Sequence, residues 1–338
     1  MIEIHNPHLP GAGLSLHVTE DRFPVAGAFA LSRGARTEIR VVRVELRDGE
    51  VCGRGESRPS GRDGETVQDV IGVIQSIEPD LRNGLDRTAL QMRLPAGAAR
   101  NALDCAFWDL EAKKRGVLAW QLAGLAPPLR LNTAYTLSLA SPDVLRKAAA
   151  RNSHRPLIKV QLGSEADLAR IEAVRAGAPH STLIADANGS WTLERYLSLA
   201  PEFARLGVVM VEQPLPANAD AGLAHIERPV PVCADEGCRD RHSLEGLNGK
   251  YDVVNIKLDK AGGLTEALEL KRHALAAGFD IMVGCTLGTS LAMAPAFLLA
   301  QDARYVDLDG PLLLAKDRDT PIHFEGSLME PPSASLWG

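Results

Sequence analysis

Several features are missing from this chain of 338 residues, and each absence removes a class of function. No run of about 18 apolar residues occurs, so no membrane-spanning helix is expected. The amino-terminal stretch MIEIHNPHLPGAGL has no charged segment followed by an apolar core, so it does not read as a secretory signal. Basic residues are in deficit. The 37 Lys and Arg against 43 Asp and Glu leave a net charge of −6 and no electrostatic footprint for nucleic acid. The five cysteines (Cys52, Cys105, Cys233, Cys238, Cys285) are odd in number, scattered and never spaced as CxxC, which argues against a disulfide framework or a zinc site. A reducing cytoplasm fits this usage best. No internal repeat beyond an alternation of strands and helices is visible.

What is present is a chain 45% apolar, long enough for a large core and a smaller second unit. Residues 13–19 and 38–46 alternate as antiparallel strands, with AFALSRGARTE between them reading as a mobile loop. A third strand is expected over 50–55, followed by a polar loop, GESRPSGRDGET, and helices near 65–78 and 86–93. The segment PAGAARNALDCAFWDLEAKKRG reads as one long helix with Ala99, Ala102, Leu103, Ala106, Phe107 and Leu110 at helical spacing and Gly116 ending it. Residues 1–125 thus form an α+β unit. From 126 to 310, eight strands are expected at 131–136, 157–161, 182–186, 208–212, 231–235, 253–257, 280–284 and 304–308. The helices between them include 164–177, 192–206, 240–247, 264–277 and 289–301. This pattern is α/β and predicts a closed (β/α)₈ barrel. The tail 311–338 is expected to pack back on the front unit, with Pro331, Pro332 and the small residues after them fraying.

Charged residues close successive apolar runs. Asp186 ends STLIAD, Glu212 ends LGVVMVE and Asp235 ends RPVPVCAD, at intervals of about one strand-plus-helix repeat. A buried, unpaired carboxylate is expensive, and the carboxyl ends of barrel strands carry active sites. Three converging carboxylates make a hard-cation site suited to Mg²⁺. For any one acid alone, a solvated loop residue or a helix N-cap is the plainer reading. The next run, YDVVNIK, ends with Lys257, whose alternative role is a surface lysine paired with Asp259. The remaining strand ends carry Thr136, Lys159 and Gln161, Gly284 with Cys285 and Thr286, and Asp307 with Asp309. None of the nine histidines falls on an expected strand end. The chemistry this set favours is removal of a proton from carbon next to a carboxylate. A divalent metal would stabilise the enediolate as a Lewis acid, and Lys257 would be a base with a lowered pKa.

The segments AGAARNALDCAFWDLEAKK, ADANGSW, VEQPLP, CADEG, VNIKLDKAGGLTEAL and DLDGP resemble, in order and over nearly the whole chain, the enolase superfamily in its muconate lactonizing enzyme subgroup, and within it the dipeptide epimerases. The resemblance implies a modified TIM barrel under a capping domain made from the N-terminal unit and the C-terminal tail. It implies Mg²⁺ on Asp186, Glu212 and Asp235, with Lys257 as one of two opposed acid/base lysines. It also implies a dipeptide of the Ala-Glu type, as in murein peptide recycling, whose α-ammonium sits on Asp307 and Asp309 with Thr136 and Cys285 nearby. Arg36, or less well aligned Arg33, would pair with a side-chain carboxylate of the substrate; Arg58 and Arg62 are further candidates, and a solvated loop role is the alternative for each. A homo-oligomer is common for such barrels, although no feature names an interface.

One departure stands out. The family carries Lys-x-Lys on the second strand, and here the segment is Lys159-Val160-Gln161, so an amide that neither takes nor gives a proton occupies the second position. Three readings follow: Lys159 or a water serves that face; the chain binds dipeptide without turnover; or Lys257 works alone in an elimination or a stereospecific exchange. Cycloisomerisation or o-succinylbenzoate synthesis fits less well, because those substrates have no ammonium for Asp307 and Asp309.

Overall fold

The structure, a computed structural model, describes residues 13–31, 34–59, 65–163 and 165–338, with the side chains of residues 27–36 outside that description. The front unit is a three-stranded antiparallel sheet, β1 (Ser15–Leu31), β2 (Gly34–Asp48) and β3 (Val51–Ser57). Helices α1 (Val67–Ser76), α2 (Glu78–Arg82), α3 (Arg87–Arg93), α4 (Ala98–Arg115) and α5 (Ala119–Leu122) follow it. Period-two alternation gives the sheet its faces. Val42, Val44 and Leu46 point into a core shared with α1 and α4, whereas Arg43, Glu45 and Arg47 form ion pairs on the opposite face. Nearer the barrel, that opposite face is covered, and Ile39 and Val41 pack against Leu287, Leu313 and Leu314.

The segment AFALSRGARTE is not a free loop: β1 and β2 run into it as far as Leu31 and Gly34. Their ladder shifts register between Pro24 and Phe29, where an edge-strand proline removes a donor. The free edge there is used by the tail, with Ala315 N–H donating to Pro24 O at 2.8 Å.

The second architecture is a run of eight parallel strands: β5 (Tyr135–Leu137), β6 (Leu157–Gln161), β7 (Thr182–Asp186), β8 (Val208–Glu212), β9 (Val232–Ala234), β10 (Val253–Ile256), β11 (Asp280–Gly284) and β12 (Tyr305–Asp307). The gap between β12 and β5 is nearly closed by Ala134 N–H to Val306 O at 2.8 Å and Leu308 N–H to Thr133 Oγ1 at 2.7 Å. Around the strands lie α6 (Pro142–Arg151), α7 (Asp167–Gly177), α8 (Leu193–Arg205), α9 (Leu258–Ala261), α10 (Leu264–Ala276) and α11 (Ser290–Leu299). It is an α+β cap on a modified (β/α)₈ barrel.

Three expectations about this half need correction. The first strand, expected over 131–136, is split. Leu131–Asn132 is a separate strand, β4, and joins a small sheet with the tail hairpin β13 (Phe324–Glu325) and β14 (Leu328–Met329). The helix expected at 240–247 is instead two 3₁₀ turns, Arg241–Ser243 and Glu245–Leu247. Gly246, Asn248 and Gly249 weaken a helix there, and the Asp240 carboxylate takes the His242 and Ser243 amides at the start. The chain end does not fray. Leu336 and Trp337 are buried, Trp337 Nε1 donates to Cys105 O at 3.0 Å, and Gly338 N–H donates to Asp109 Oδ1 at 2.7 Å. Helix α6 had no counterpart among the expected helices.

Alternation along the barrel strands sorts its side chains into two cores. Ile158, Val160, Leu183, Ala185, Val211, Val254, Ile256, Ile281 and Val283 face outward into the layer beneath the helices. Ile184, Met210, Cys233, Val253, Met282 and Tyr305 face inward and plug the barrel floor. The next inward rung toward the carboxyl ends is polar, and it is the floor of the site. No helix among the described residues is long and apolar enough to cross a membrane.

Candidate active site

The polar rung brings together residues from six strands. Lys159 Nζ lies 2.7 Å from Glu212 Oε2, 2.9 Å from Asp307 Oδ2 and 3.1 Å from Asp186 Oδ2. Lys257 Nζ lies 2.7 Å from Asp235 Oδ2 and 3.8 Å from Glu212 Oε1. Thus Asp186, Glu212 and Asp235 do converge on one end of the barrel, but ammonium groups stand between them. Among the described residues, no group of three or more His, Cys, Asp or Glu side chains is gathered closely enough to hold a metal.

Charge balance at this rung is incomplete. Burial, and then the nearby Asp186 charge, pushes the Glu212 carboxyl up to about 7 despite both lysines. Glu212 Oε2 meets Lys159 outside hydrogen-bonding geometry, and Asp307 Oδ1 is buried with no donor. Asp309 is also pushed up to about 7, by burial and then by Asp307; its Oδ2 accepts the Thr136 N–H at 2.6 Å. Burial works against the Lys159 ammonium, yet Asp186, Asp307 and Glu212 outweigh it and hold its pKa well above the ordinary value. Burial pulls the Lys257 pKa down, but Asp235 and Glu212 outweigh it and raise it above the ordinary lysine value. Lys257 does not pair with Asp259.

Gln161 is held at both ends of its amide. Its Nε2 donates to Asp186 Oδ2 at 3.0 Å, and its Oε1 accepts from Asn188 Nδ2 at 2.6 Å. Cys285 sits at the turn after β11, its thiol pushed well up by burial and by Asp307 and Asp309. Of the loop arginines, Arg33 and Arg62 and the side chain of Arg36 lie outside the described residues. Arg58 is described and half-buried, and its Nη1 donates to Leu287 O at 3.2 Å.

Several residues of this rung escaped the sequence reading. Asn255 Nδ2 donates to Glu212 Oε1 at 2.7 Å, and the absence of a Cβ at Gly284 makes room for it, since one would stand 2.6 Å from Asn255 Oδ1. Lys260 Nζ reaches Asp235 Oδ1 at 2.7 Å, so this carboxylate meets a lysine on each oxygen. Gln213 follows Glu212 at φ +38°, a conformation few non-glycine residues adopt. Its Oε1 accepts the Asp235 N–H at 2.8 Å, which ties one acid's strand to the next. Alternation alone finds Asn255, two residues before Lys257 on the same face; Lys260 and Gln213 need the turns in three dimensions.

Set beside known proteins, residues 14–124 match the mandelate racemase/muconate lactonizing enzyme N-terminal domain, and residues 143–335 match the enolase C-terminal domain-like family. The chain belongs to the enolase superfamily. Within it, the chain groups with the isomerases of the mandelate racemase/muconate lactonizing branch and is homologous to L-Ala-D/L-Glu epimerase. It is 44% identical to the L-Ala-D/L-Glu epimerase of Escherichia coli over 92% of this chain and 97% of that one. It is 42% identical to an N-acetyl-D-glutamate racemase of Pseudoalteromonas sp over 88% and 95%. Among solved structures, an enolase family member from Agrobacterium tumefaciens with homology to dipeptide epimerases, containing sodium and L-Ala-L-Glu, is 50% identical. It superposes with a TM-score of 0.94 over 96% of this chain and all of the other. A dipeptide epimerase from Enterococcus faecalis, complexed with Mg and L-Leu-L-Tyr, is 27% identical, with a TM-score of 0.88 over 96% and 99%.

Proposed function

We propose that this member of the superfamily is a Mg²⁺-dependent dipeptide epimerase of the L-Ala-D/L-Glu type, acting at the α-carbon of the C-terminal residue. The observation that carries the reading is the polar rung, where Asp186, Glu212, Asp235, Lys257, Lys159 and Asp307 meet at one end of the barrel. Its donor set fits a hard cation. Glu212 Oε2 is buried outside hydrogen-bonding geometry, and burial with the Asp186 charge raises Glu212 despite both lysines, so a further cation would be favoured there. Asp186, Glu212 and Asp235 would hold the ion. Bound there, it would supply Lewis-acid stabilisation of the charge that builds on the substrate carboxylate.

The chain's own residues carry the rest. Lys257 Nζ, released from Asp235, would take the α-proton on one face. Asp307 and Asp309 would accept the α-ammonium of the dipeptide, with Thr136 fixing Asp309 through its amide and Cys285 lining the turn opposite. Arg36 is the candidate partner for a Glu side chain. Murein-derived Ala-Glu, taken up in the cytoplasm, is the substrate class this arrangement suits.

A second reading is favoured by Gln161. Inversion needs an acid/base group on each face of the enediolate, and the Gln161 amide, bonded to Asp186 and Asn188, cannot be one. Lys159, one rung deeper, is held by three carboxylates. In this reading Lys257 exchanges the α-proton on its own face without inversion. Proton NMR of L-Ala-L-Glu and L-Ala-D-Glu with the protein and MgCl₂ in D₂O separates the two. Loss of the Glu α-proton with growth of the other diastereomer supports epimerisation. Loss without inversion supports Lys257 alone, and retention of the proton in both dipeptides removes the Ala-Glu reading.

A further inference from the structure

The segment that carries Lys257 is gripped from the capping unit by one face of α4. Arg100, buried, gives Nε to Gly262 O at 3.1 Å and Nη2 to Ala261 O at 2.7 Å. Asp104 Oδ2 accepts the Thr265 N–H at 2.9 Å. The two glycines between these contacts, Gly262 and Gly263, have φ of +81° and +114°, and a Cβ on either would strike Arg100 or Asp104 at 2.5 and 2.4 Å. The fit between the AARNALD and KLDKAGGLT segments is therefore a backbone-level fit.

At the centre of this grip lies Asp259, two residues after Lys257 and the one carboxylate of α9. Its Oδ1 accepts Asn101 Nδ2 at 2.8 Å and the Arg58 N–H at 3.1 Å, and its Oδ2 accepts the Thr286 hydroxyl. Asn101 is itself fixed by Cys105, whose Sγ donates to Asn101 Oδ1 at 3.2 Å. Three chain segments thus end on one carboxylate: the residues after β3, helix α4, and the turn after β11 that carries Cys285. None of these partners belongs to the polar rung.

We infer that Asp259 is a positioning residue, which sets the reach of Lys257 by locking its turn to the cap and to the Cys285 turn. The inference rests on Lys257 being the reacting amine of the proposed function. With Asp259 removed, the three donors lose their common acceptor and α9 is free to shift. Lys257 Nζ then leaves its 2.7 Å contact with Asp235. An asparagine would keep the lock. Its carbonyl can accept from Arg58 and Asn101, and its amide can donate to the Thr286 hydroxyl, which also accepts.

The test labels the full-length protein with an amine-reactive acetylating reagent and reads Lys257 against Lys113 in the same molecule by peptide mass spectrometry. Asp259→Ala should raise the Lys257 ratio about tenfold by local opening. Asp259→Asn should stay within about twofold of the parent, and Thr286→Val, which removes one donor, should fall between them. Where the parent exchanges the dipeptide α-proton, Asp259→Ala should also lower that rate about 100-fold with little change in KM. An unchanged Lys257 ratio in Asp259→Ala, or in Thr286→Val should the alanine variant not fold, overturns the inference, even if the unfolding temperature drops. Failure of the parent to exchange any dipeptide counts against the proposed function and leaves the labelling result to decide on Asp259.

Discussion

The barrel mouth and the part of the cap–barrel seam where α4 meets α9 and α10 both bury carboxylates, but they neutralise them differently. At the mouth, Asp186, Glu212, Asp235 and Asp307 face Lys159, Lys257 and Lys260, all cations on flexible stems. At this seam, Asp104 and Asp259 accept from backbone amides, the Gln91 and Asn101 side-chain amides and the Thr286 hydroxyl, and among the described residues no lysine or arginine side chain donates to them. Ion pairs among mobile ammoniums can be exchanged for a metal and a substrate, whereas hydrogen bonds to fixed neutral donors hold one geometry. The mouth is built to be rearranged, and the seam to stay put.

The mouth is itself lopsided, and the largest expected effect tests that. Lys257→Met should slow α-proton exchange about 10⁴-fold, the upper range for a general base, whereas Gln161→Met should change it little. Comparable losses from both, read by NMR in D₂O, would mean that the glutamine side also carries chemistry. Next comes the internal cation. Lys159→Met leaves three buried carboxylates facing one another, and thermal or urea unfolding without metal should show a loss of about 4 kcal/mol. Added Mg²⁺ should recover much of it, because the ion replaces the missing charge. A loss of the same size with and without Mg²⁺ would mean that these acids do not serve a metal. Gln161→Lys should then restore the second face. Formation of the opposite diastereomer should rise about 100-fold over the parent, and its absence would mean that Gln161 is not what limits inversion in this chain.

The mouth was largely legible in the sequence and the seam was not, for a physical reason. Strands β6, β7, β8 and β11 have the expected bounds, because each is a short apolar run bracketed by polar residues. The residues that end three of them, Gln161, Asp186 and Glu212, announce the polar rung by alternation alone. The first strand failed because the Leu131–Leu137 stretch suits either sheet, and only the tail hairpin, almost 200 residues away, decides that Leu131 and Asn132 leave the barrel. The front loop failed in the opposite sense: glycine and arginine suggested a loop, while cross-strand pairing carries β1 and β2 into it as far as Leu31 and Gly34. At the seam, the partners of Asp104 and Asp259 lie 161 and 158 residues off in Thr265 and Asn101, with no periodicity linking them. The contact of Lys257 with Asp235 at 2.7 Å also required structure, since no spacing in the sequence sets it.

The smallest expected effect sharpens the contrast through pH. With no cation donating to it, the fully buried Asp104 carboxyl is pushed up to about 6, by desolvation against weaker hydrogen bonds from Thr265 and Gln91. The folded protein therefore holds this proton more tightly than the unfolded chain, whose aspartate titrates near 4. Between about pH 4 and pH 6 the native state binds more protons at this site, so Asp104 makes stability fall as pH rises, the reverse of a salt-bridged acid. The contribution is roughly 2 kcal/mol across that window. Asp104→Asn should flatten it in urea unfolding curves taken at half-unit steps. The fold should tolerate the change, because Gln91 Oε1, buried without a partner, can turn to accept from the new amide. A parent and variant with parallel curves from pH 4 to 6 would mean that the seam carries a charge balance like that of the mouth, and the distinction between the two regions would fall.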